Sequence, residues 1–300
     1  MTDAQPRICF VMPYFGSWPF WLPLFLESCR TNATIDWLFF TDCEIPADYP
    51  ANVQFVSTTF SDYCSRVSSA LGIRFQPDKP YKLCDIRSAF GLIHSEELAA
   101  YDFWAFGDID LIYGDLRSYF TGARLARKDL IATHSRRISG HCCLIRNNQT
   151  MREAFRKMPD WKKLFSDPRH HAVDEGMFSK LFLRHKNWPA WLARLAASAH
   201  PLRRRAEFIE AYSTPHTRVA WTNGTKRFPE HWYWNNGRLT NDIDGPREFP
   251  YFHFLVWKRA WSRQIPQEQS ALYRLAREGH WQVTADGFFP LDMNPESLNG

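Results

Sequence analysis

Phe103-Trp-Ala-Phe-Gly-Asp108-Ile-Asp110-Leu-Ile112 is an apolar run whose only charges are two carboxylates one residue apart. In extended backbone the side chains alternate with a period of two. Asp108 and Asp110 therefore point to the same side, where they can converge on one hard cation. Bare carboxylates so close repel, and a divalent ion, a raised pKa or solvent must relieve them. The competing reading is a strand-end turn carrying two solvated acids. What surrounds the pair decides between the two.

Upstream, Arg7-Ile-Cys-Phe-Val-Met12 is a β-rich run closed by Pro13-Tyr14-Phe15-Gly16, the pattern of a buried parallel strand followed by a loop that exposes backbone. Trp18 to Arg30 reads as a helix, and the apolar runs Asp36 to Asp42 and Val53 to Val56 continue the alternation of βαβ units. Pro80 opens a helical pattern in which Leu83, Ile86, Phe90, Ile93 and Leu98 recur, and Phe103 to Phe106 returns as the next strand. The fold class is α/β, with a mostly parallel central sheet, and the acids fall at the carboxyl end of a central strand. Open parallel sheets bind ligands at that edge.

Beyond about residue 115 the pattern changes. Helices are expected over Thr150 to Lys157 and Glu175 to His185. Two Asn-Gly turns, Asn223-Gly224 and Asn236-Gly237, follow Val219-Ala-Trp221 and Trp232-Tyr-Trp234, which is a strong hairpin signal. No repeat or linker divides the chain, so residues 1–300 read as one domain. Residues 1–115 read as a nucleotide-binding-like front half and 116–300 as an elaborated back half.

The 300 residues are 45% hydrophobic and 16% aromatic, an ample core supply. A net charge of +5 suits phosphates or an anionic membrane, but no Lys/Arg block resembles a nucleic-acid arm, so no nucleic-acid partner is expected. Seven cysteines, with no C-x-x-C spacing, argue against a disulfide framework and for reduced thiols in a cytoplasmic protein. The apolar tract Ile8 to Leu26 is broken by Pro13, Gly16, Pro19 and Pro23 and cannot span a bilayer as one helix.

Tyr251-Phe-His253-Phe-Leu-Val-Trp-Lys258 puts a histidine inside an aromatic strand with a lysine five residues later. Taken alone, such a histidine belongs to the core. With the paired acids it completes a reasonable set for Mn²⁺ or Mg²⁺, leaving coordination positions for phosphate oxygens. Lys82, Asp85 and Arg87 in Pro80-Tyr-Lys-Leu-Cys-Asp-Ile-Arg87 read either as a surface ion pair or as phosphate-facing cations. Asp174 and Glu175 precede a helix, where they can cap it or work in a site. Trp221, Trp232, Trp234 and Trp257 are candidates to stack on acceptor sugars or to pack in hairpins. Trp188, Trp191, Leu192 and Leu195 form an apolar stripe beside Arg184, Lys186, Arg194 and Arg203-Arg204-Arg205, so 188–205 is either a packed helix with a solvated rim or a contact with anionic lipid.

In this order the segments resemble the metal-dependent glycosyltransferases of the GT-A fold, particularly a bacterial family of cell-surface polysaccharide enzymes long labelled only as a domain of unknown function. The carriers are Val11-Met-Pro-Tyr-Phe-Gly16, Phe40-Thr-Asp42, Tyr81 to Arg87, Phe106-Gly-Asp-Ile-Asp110, Asp174-Glu175, and Phe252-His253 with Lys258. The resemblance implies that Pro13, Tyr14, Phe15, Gly16 and Asp42 line the nucleotide and that Lys82, Asp85 and Arg87 border the donor. It further implies that Asp110 with His253 holds the metal, that Asp108 touches ribose or metal, and that Lys258 meets the diphosphate. Related retaining galactosyl- and glucosyltransferases carry H-x-x-G-x-x-K-P-W at the C-terminal site. Here His253-Phe-Leu-Val-Trp-Lys258-Arg-Ala-Trp261 lacks the glycine and has its lysine one residue closer.

The activity expected on this resemblance is transfer of a hexose from UDP-galactose or UDP-glucose to a glycan or lipid-linked acceptor in surface polysaccharide synthesis. Asp174 or Glu175 would serve the acceptor hydroxyl. Two other classes compete: a non-catalytic glycan-binding or scaffolding protein on the same fold, and an aspartate-nucleophile phosphohydrolase. The phosphohydrolase would place D-x-D on the first strand rather than about a hundred residues later.

Overall fold

The computed structural model describes residues 5–183, 188–212, 220–261 and 268–291. In chain order its strands are β1 (Ile8–Pro13), β2 (Ile35–Thr41), β3 (Val53–Ser57), β4 (Phe103–Gly107), β5 (Leu111–Tyr113), β6 (Leu130–Ala132), β7 (Cys142–Arg146), β8 (Ala206–Phe208), β9 (Trp232–Asn235), β10 (Arg238–Asn241), β11 (Tyr251–His253), β12 (His280–Thr284) and β13 (Gly287–Pro290). The central sheet runs β3-β2-β1-β4-β7-β6-β8. Only β7 is reversed in it; β1 pairs parallel with both β2 and β4, while β4 and β6 each pair antiparallel with β7. Helices and aromatic side chains cover both faces of β1, β2 and β4. This burial explains why those strands are continuously apolar rather than alternating.

Strand β4 is the middle member of the seven, and the acids follow it as expected. They do not sit in the strand itself. At Asp108 the chain bends out of the large sheet and re-forms as β5, which pairs antiparallel with β11 in a small two-stranded ribbon. The Trp21 indole N–H donates to the Ile109 carbonyl at 2.9 Å, fixing the tip of this bend between the two acids.

Helical segments shift where tertiary packing overrides the sequence pattern. The first helix covers Leu22–Arg30 rather than starting at Trp18. Its Pro23 sits in the first turn, where no backbone N–H is needed. Pro80–Ala89 is a 3₁₀ helix, continued by an α-turn over Phe90–Ile93. With three residues per turn, Lys82, Asp85 and Ser88 share one face, while Tyr81, Cys84 and Arg87 share another. The expected helices at Thr150 and Glu175 are each split into short turns, Gln149–Arg152 with Ala154–Lys157, and Asp174–Phe178 with Ser179–Phe182.

Of the two Asn-Gly signals, one makes a hairpin. Asn236 and Gly237 have φ of 46° and 89°, as a type I′ turn requires, and join β9 to β10 in a second sheet of order β10-β9-β12-β13. At Asn223-Gly224 no described strand flanks the turn. Trp221 N–H donates to the Thr225 carbonyl and the Asn223 side chain accepts from Thr225, so the segment closes on itself as a loop. Val219 lies outside the described residues.

Trp221, Trp232 and Trp234 are buried, and Trp234 stacks on Trp281 at 3.8 Å between ring centroids. They form the core beneath the second sheet and are not sugar-binding platforms. Half-buried Trp257 packs on Phe252 and Phe228 in the same cluster. The apolar stripe does form a helix, Ala190–Ser198, with Trp188, Trp191 and Leu195 exposed by 48%, 66% and 64%. Its basic rim is partly used up internally. Arg205 pairs with Asp129 at 2.6 Å and Arg203 donates to the Leu181 carbonyl, while Arg184 and Lys186 lie outside the described residues. No helix among the described residues is long and apolar enough to cross a membrane. All seven cysteines are free.

Candidate metal centre

Two strand registers assemble the site. In the β5–β11 ribbon His253 lies opposite Leu111, which places its ring beside Asp110, and the Phe254 N–H donates to the Asp110 carbonyl. Because side chains alternate along β11, Phe252 turns into the tryptophan cluster while His253 faces the other way. In the β4–β7 pair Gly107 opposes Cys142, and the Asp108 N–H donates to the carbonyl of His141. A turn after β11, closed by the bond from Lys258 N–H to the Phe254 carbonyl, swings Lys258 back over the acids.

The result is a three-residue cluster. Asp108, Asp110 and His253 each offer one ligand atom, all within 4.8 Å of one another. His253 Nε2 lies 3.2 Å from Asp110 Oδ2, and Lys258 Nζ lies 2.5 Å from the same oxygen. Burial alone would push the Asp110 carboxyl up; His253 and Lys258 overcome it and hold the group well below the usual carboxylate range. Arg87 donates to Asp108 Oδ1 and to the Gly140 carbonyl, and its Nη1 is 3.6 Å from Asp174 Oδ2. Desolvation opposes its charge, but Asp108 and Asp174 more than compensate, so the guanidinium stays charged.

These residues open onto a cavity of about 570 Å³ whose walls include Pro13, Tyr14, Phe15, Tyr81, Cys84, Arg87, Asp108, Asp110, Gly140, His141, Asp174, Glu175, His253 and Lys258. The buried Asp174 carboxyl is raised to about 6, mainly by desolvation, with Glu175 and Asp108 adding to the effect and Arg87 opposing it. Glu175 is turned to Arg137, 3.0 Å away. Gly140 permits this crowding, since a Cβ there would lie 2.9 Å from Asp174 Oδ2 and 3.0 Å from Arg87 Nη1.

Most of the expected site residues converge here, and four do not. Gly16 and Asp42 are absent from the cavity walls. The Gly16 N–H donates to Asp42 Oδ1 at 2.8 Å, with Gly16 at φ 116°, so the two shape the loop that carries Tyr14 and Phe15. Lys82 and Asp85, expected to border the donor, are corrected to a buried ion pair at 2.8 Å, because the three-fold helix that sends Arg87 to the cavity sends them into the protein.

The sequence reading missed His141, His134, Arg137 and Glu210, all on the cavity wall. His141 stacks on His253 with centroids 4.4 Å apart, and its Nε2 meets the Tyr251 hydroxyl at 2.9 Å, which in turn donates to Thr133. Burial, reinforced by His253, holds its imidazole well below the usual histidine range, so it stays neutral. Nothing local marks it; only the antiparallel β4–β7 register brings residue 141 beside residue 108.

The cluster fits a hard divalent cation. It supplies two carboxylates and one imidazole, and the cavity leaves room for further oxygen ligands. His253 Nδ1 is buried without a hydrogen-bond partner among the described residues, so the ring is held by stacking and by Asp110 rather than by a backbone bond of the kind a core histidine makes.

A family model described as "Family of unknown function (DUF6625)" matches residues 10–290. No curated protein matches the chain. Similar solved structures include the galactosyltransferase LgtC in complex with donor and acceptor sugar analogs, at 10% identity over 91% of this chain and 95% of that one, with a TM-score of 0.44. Mouse xyloside xylosyltransferase 1 in its apo form is 11% identical over 67% of this chain and 95% of that one, with a TM-score of 0.37. The apo-form glycosyltransferase GlyE of Streptococcus pneumoniae TIGR4 is 12% identical over 71% and 46% of the two chains, with a TM-score of 0.39.

Proposed function

The chain belongs to the family of unknown function DUF6625, whose description assigns no chemistry, and from the site itself we propose that it is a metal-dependent glycosyltransferase of the GT-A type. The observation that carries this reading is the convergence of Asp108, Asp110 and His253, from two distant segments, on one cavity that also holds Arg87, Lys258 and a carboxyl raised toward neutrality. Departure of a nucleoside diphosphate from a sugar carbon requires that growing negative charge be stabilised. A divalent cation such as Mn²⁺ or Mg²⁺, held by Asp108, Asp110 and His253, would supply that stabilisation.

The chain's own groups do the rest. Lys258 and Arg87 present positive charge to the phosphates, and Arg87 in addition fixes Asp108 by its bond to Oδ1. Pro13, Tyr14 and Phe15 wall the nucleotide. Asp174, buried and easily protonated, accepts the proton of the acceptor hydroxyl if configuration inverts; under retention it positions the acceptor. Glu175 is tied to Arg137 and shapes the acceptor side. We take the donor to be UDP-galactose or UDP-glucose and the acceptor to be a glycan or lipid-linked glycan of surface polysaccharide synthesis, at the cytoplasmic face of the membrane.

Calorimetry with UDP tests the reading, because binding should appear with Mn²⁺ and vanish in EDTA. A glycan-binding scaffold would show no metal-dependent nucleotide binding, and that result would remove the enzyme reading. A screen of nucleotide sugars for Mn²⁺-dependent UDP release then identifies the donor.

The exposed Trp188, Trp191 and Leu195 are where we place peripheral membrane contact within 188–205. Wild-type protein should co-sediment with vesicles of phosphatidylglycerol and phosphatidylethanolamine, and Trp191→Asp with Leu195→Asp should stay in the supernatant. Equal sedimentation of both proteins counts against this contact.

A further inference from the structure

We propose that the buried Lys82–Asp85 pair is a positioning clamp that sets the backbone carrying Asp174 and Glu175, an inference that rests on the catalytic reading of that acidic pair. Lys82 Nζ is fully engaged, with Asp85 Oδ2 at 2.8 Å, the Leu164 carbonyl at 2.7 Å and the Arg169 carbonyl at 2.8 Å. Asp85 is equally committed. Its Oδ2 accepts from the His171 N–H at 2.8 Å, its Oδ1 accepts from the Val173 N–H at 3.0 Å, and His170 Nδ1 lies 3.1 Å from Oδ1.

The two amides held by Asp85 flank Ala172, whose φ of 49° lies in the left-handed region that alanine rarely adopts. Such a residue is strained and persists only where its surroundings over-determine it. Gripping the amides on both sides supplies that constraint. The strained residue is also where the acidic turn begins. Gly176 N–H donates to the Ala172 carbonyl and Phe178 N–H to the Val173 carbonyl, so the single π-turn Asp174–Phe178 hangs from the two residues nearest the clamp. π-turns of this kind concentrate at functional sites.

A surface ion pair would not explain this arrangement. Both side chains are buried, and a lysine and an aspartate replaced by packed apolar residues often leave stability unchanged or higher. What the pair adds over apolar packing is direction, since only an acceptor between residues 171 and 173 can hold both amides and set where the Asp174 carboxyl points. Neither residue touches the cavity, so the effect on catalysis runs through Asp174 and Glu175.

The test separates turnover from donor binding. UDP affinity in the presence of Mn²⁺ is read by calorimetry, and turnover as UDP release from UDP-galactose or UDP-glucose, for wild type, Asp85→Asn, and Asp85→Asn with Ala172→Gly. A misplacement on the order of 1 Å at a catalytic group lowers turnover about 100-fold. Asp85→Asn should show a fall of that size in kcat with UDP–Mn²⁺ affinity within about twofold of wild type. Glycine at 172 removes the conformational penalty and should restore part of kcat.

Should Asp85→Asn fail to fold, the double variant Lys82→Met with Asp85→Leu leaves no lone buried charge and takes its place. Unchanged kcat in a folded variant, loss of UDP–Mn²⁺ affinity in parallel with kcat, or failure of both variants to fold each overturns the positioning role. If wild-type protein neither binds UDP with Mn²⁺ nor releases it from a donor, it is the glycosyltransferase reading that fails, and the clamp proposal with it.

Discussion

On the proposed reading, Asp110→Asn is expected to lower metal-dependent transfer by roughly 10³-fold or more and to weaken Mn²⁺-dependent UDP binding, because the variant keeps the side-chain shape but not the charge. Asp110 is the pivot of the cluster. Its Oδ2 meets both His253 and Lys258, it is the more buried of the cluster's two acids, and its ionisation is enforced by those two neighbours. Asparagine still accepts a hydrogen bond, and Lys258 is exposed enough to turn to solvent, so the fold should survive. Alanine is the harsher choice, since it leaves His253 facing an empty position. Near-UV circular dichroism checks the fold, and UDP release with and without EDTA checks the chemistry. Full wild-type activity in EDTA would falsify a metal-centred mechanism outright.

The two segments that meet at Asp110 were legible in the sequence to different depths. The parallel sheet was readable because β1, β2 and β4 are buried on both faces and so spell continuous apolar runs. The D-x-D at the end of β4 followed from the same logic. His253 was readable only as a polar residue in an aromatic strand, and it is the β5–β11 register that turns it toward the acids. A register between segments well over a hundred residues apart leaves no local trace.

The same limit hid His141, which reaches the site through the antiparallel β7. It also misdirected Lys82 and Asp85. Residues three apart share a face in both α and 3₁₀ helices, and in either Arg87 projects away from that face; the spacing does not tell which face meets the cavity and which packs into the protein. At Asn223-Gly224 the turn chemistry was real, but no strand partner follows it among the described residues, so the loop folded back on its own carbonyls.

Asp174→Asn is expected to lower kcat by about 10²–10⁴-fold while raising thermal stability at neutral pH, and the two effects share one cause. The Asp174 carboxyl is raised from 3.8 to about 6 because burial penalises its charged form. A group whose folded pKa lies above its unfolded value favours the folded state at low pH, where it is protonated. That advantage is lost as pH rises through 4 to 6. Above pH 6 the ionised carboxylate costs the folded protein on the order of 3 kcal/mol relative to acid conditions.

Asparagine never ionises. Its advantage over wild type in melting temperature should therefore be largest at pH 7–8 and shrink toward pH 4. Arg87 keeps Asp108 and the Gly140 carbonyl as partners, so the substitution strands no charge.

Catalysis carries the opposite sign. If Asp174 takes the acceptor proton, it must be ionised, so kcat/KM in wild type should fall about tenfold per pH unit below about 6, and the residual activity of Asp174→Asn should lack that limb. Thermal melts and pH–rate profiles on the same two proteins read both signs. A variant that loses the acid limb and gains stability at neutral pH shows a carboxylate held at an energetic cost for its chemistry. One that keeps the limb and wild-type turnover moves the base elsewhere, with Glu175 the next group to test.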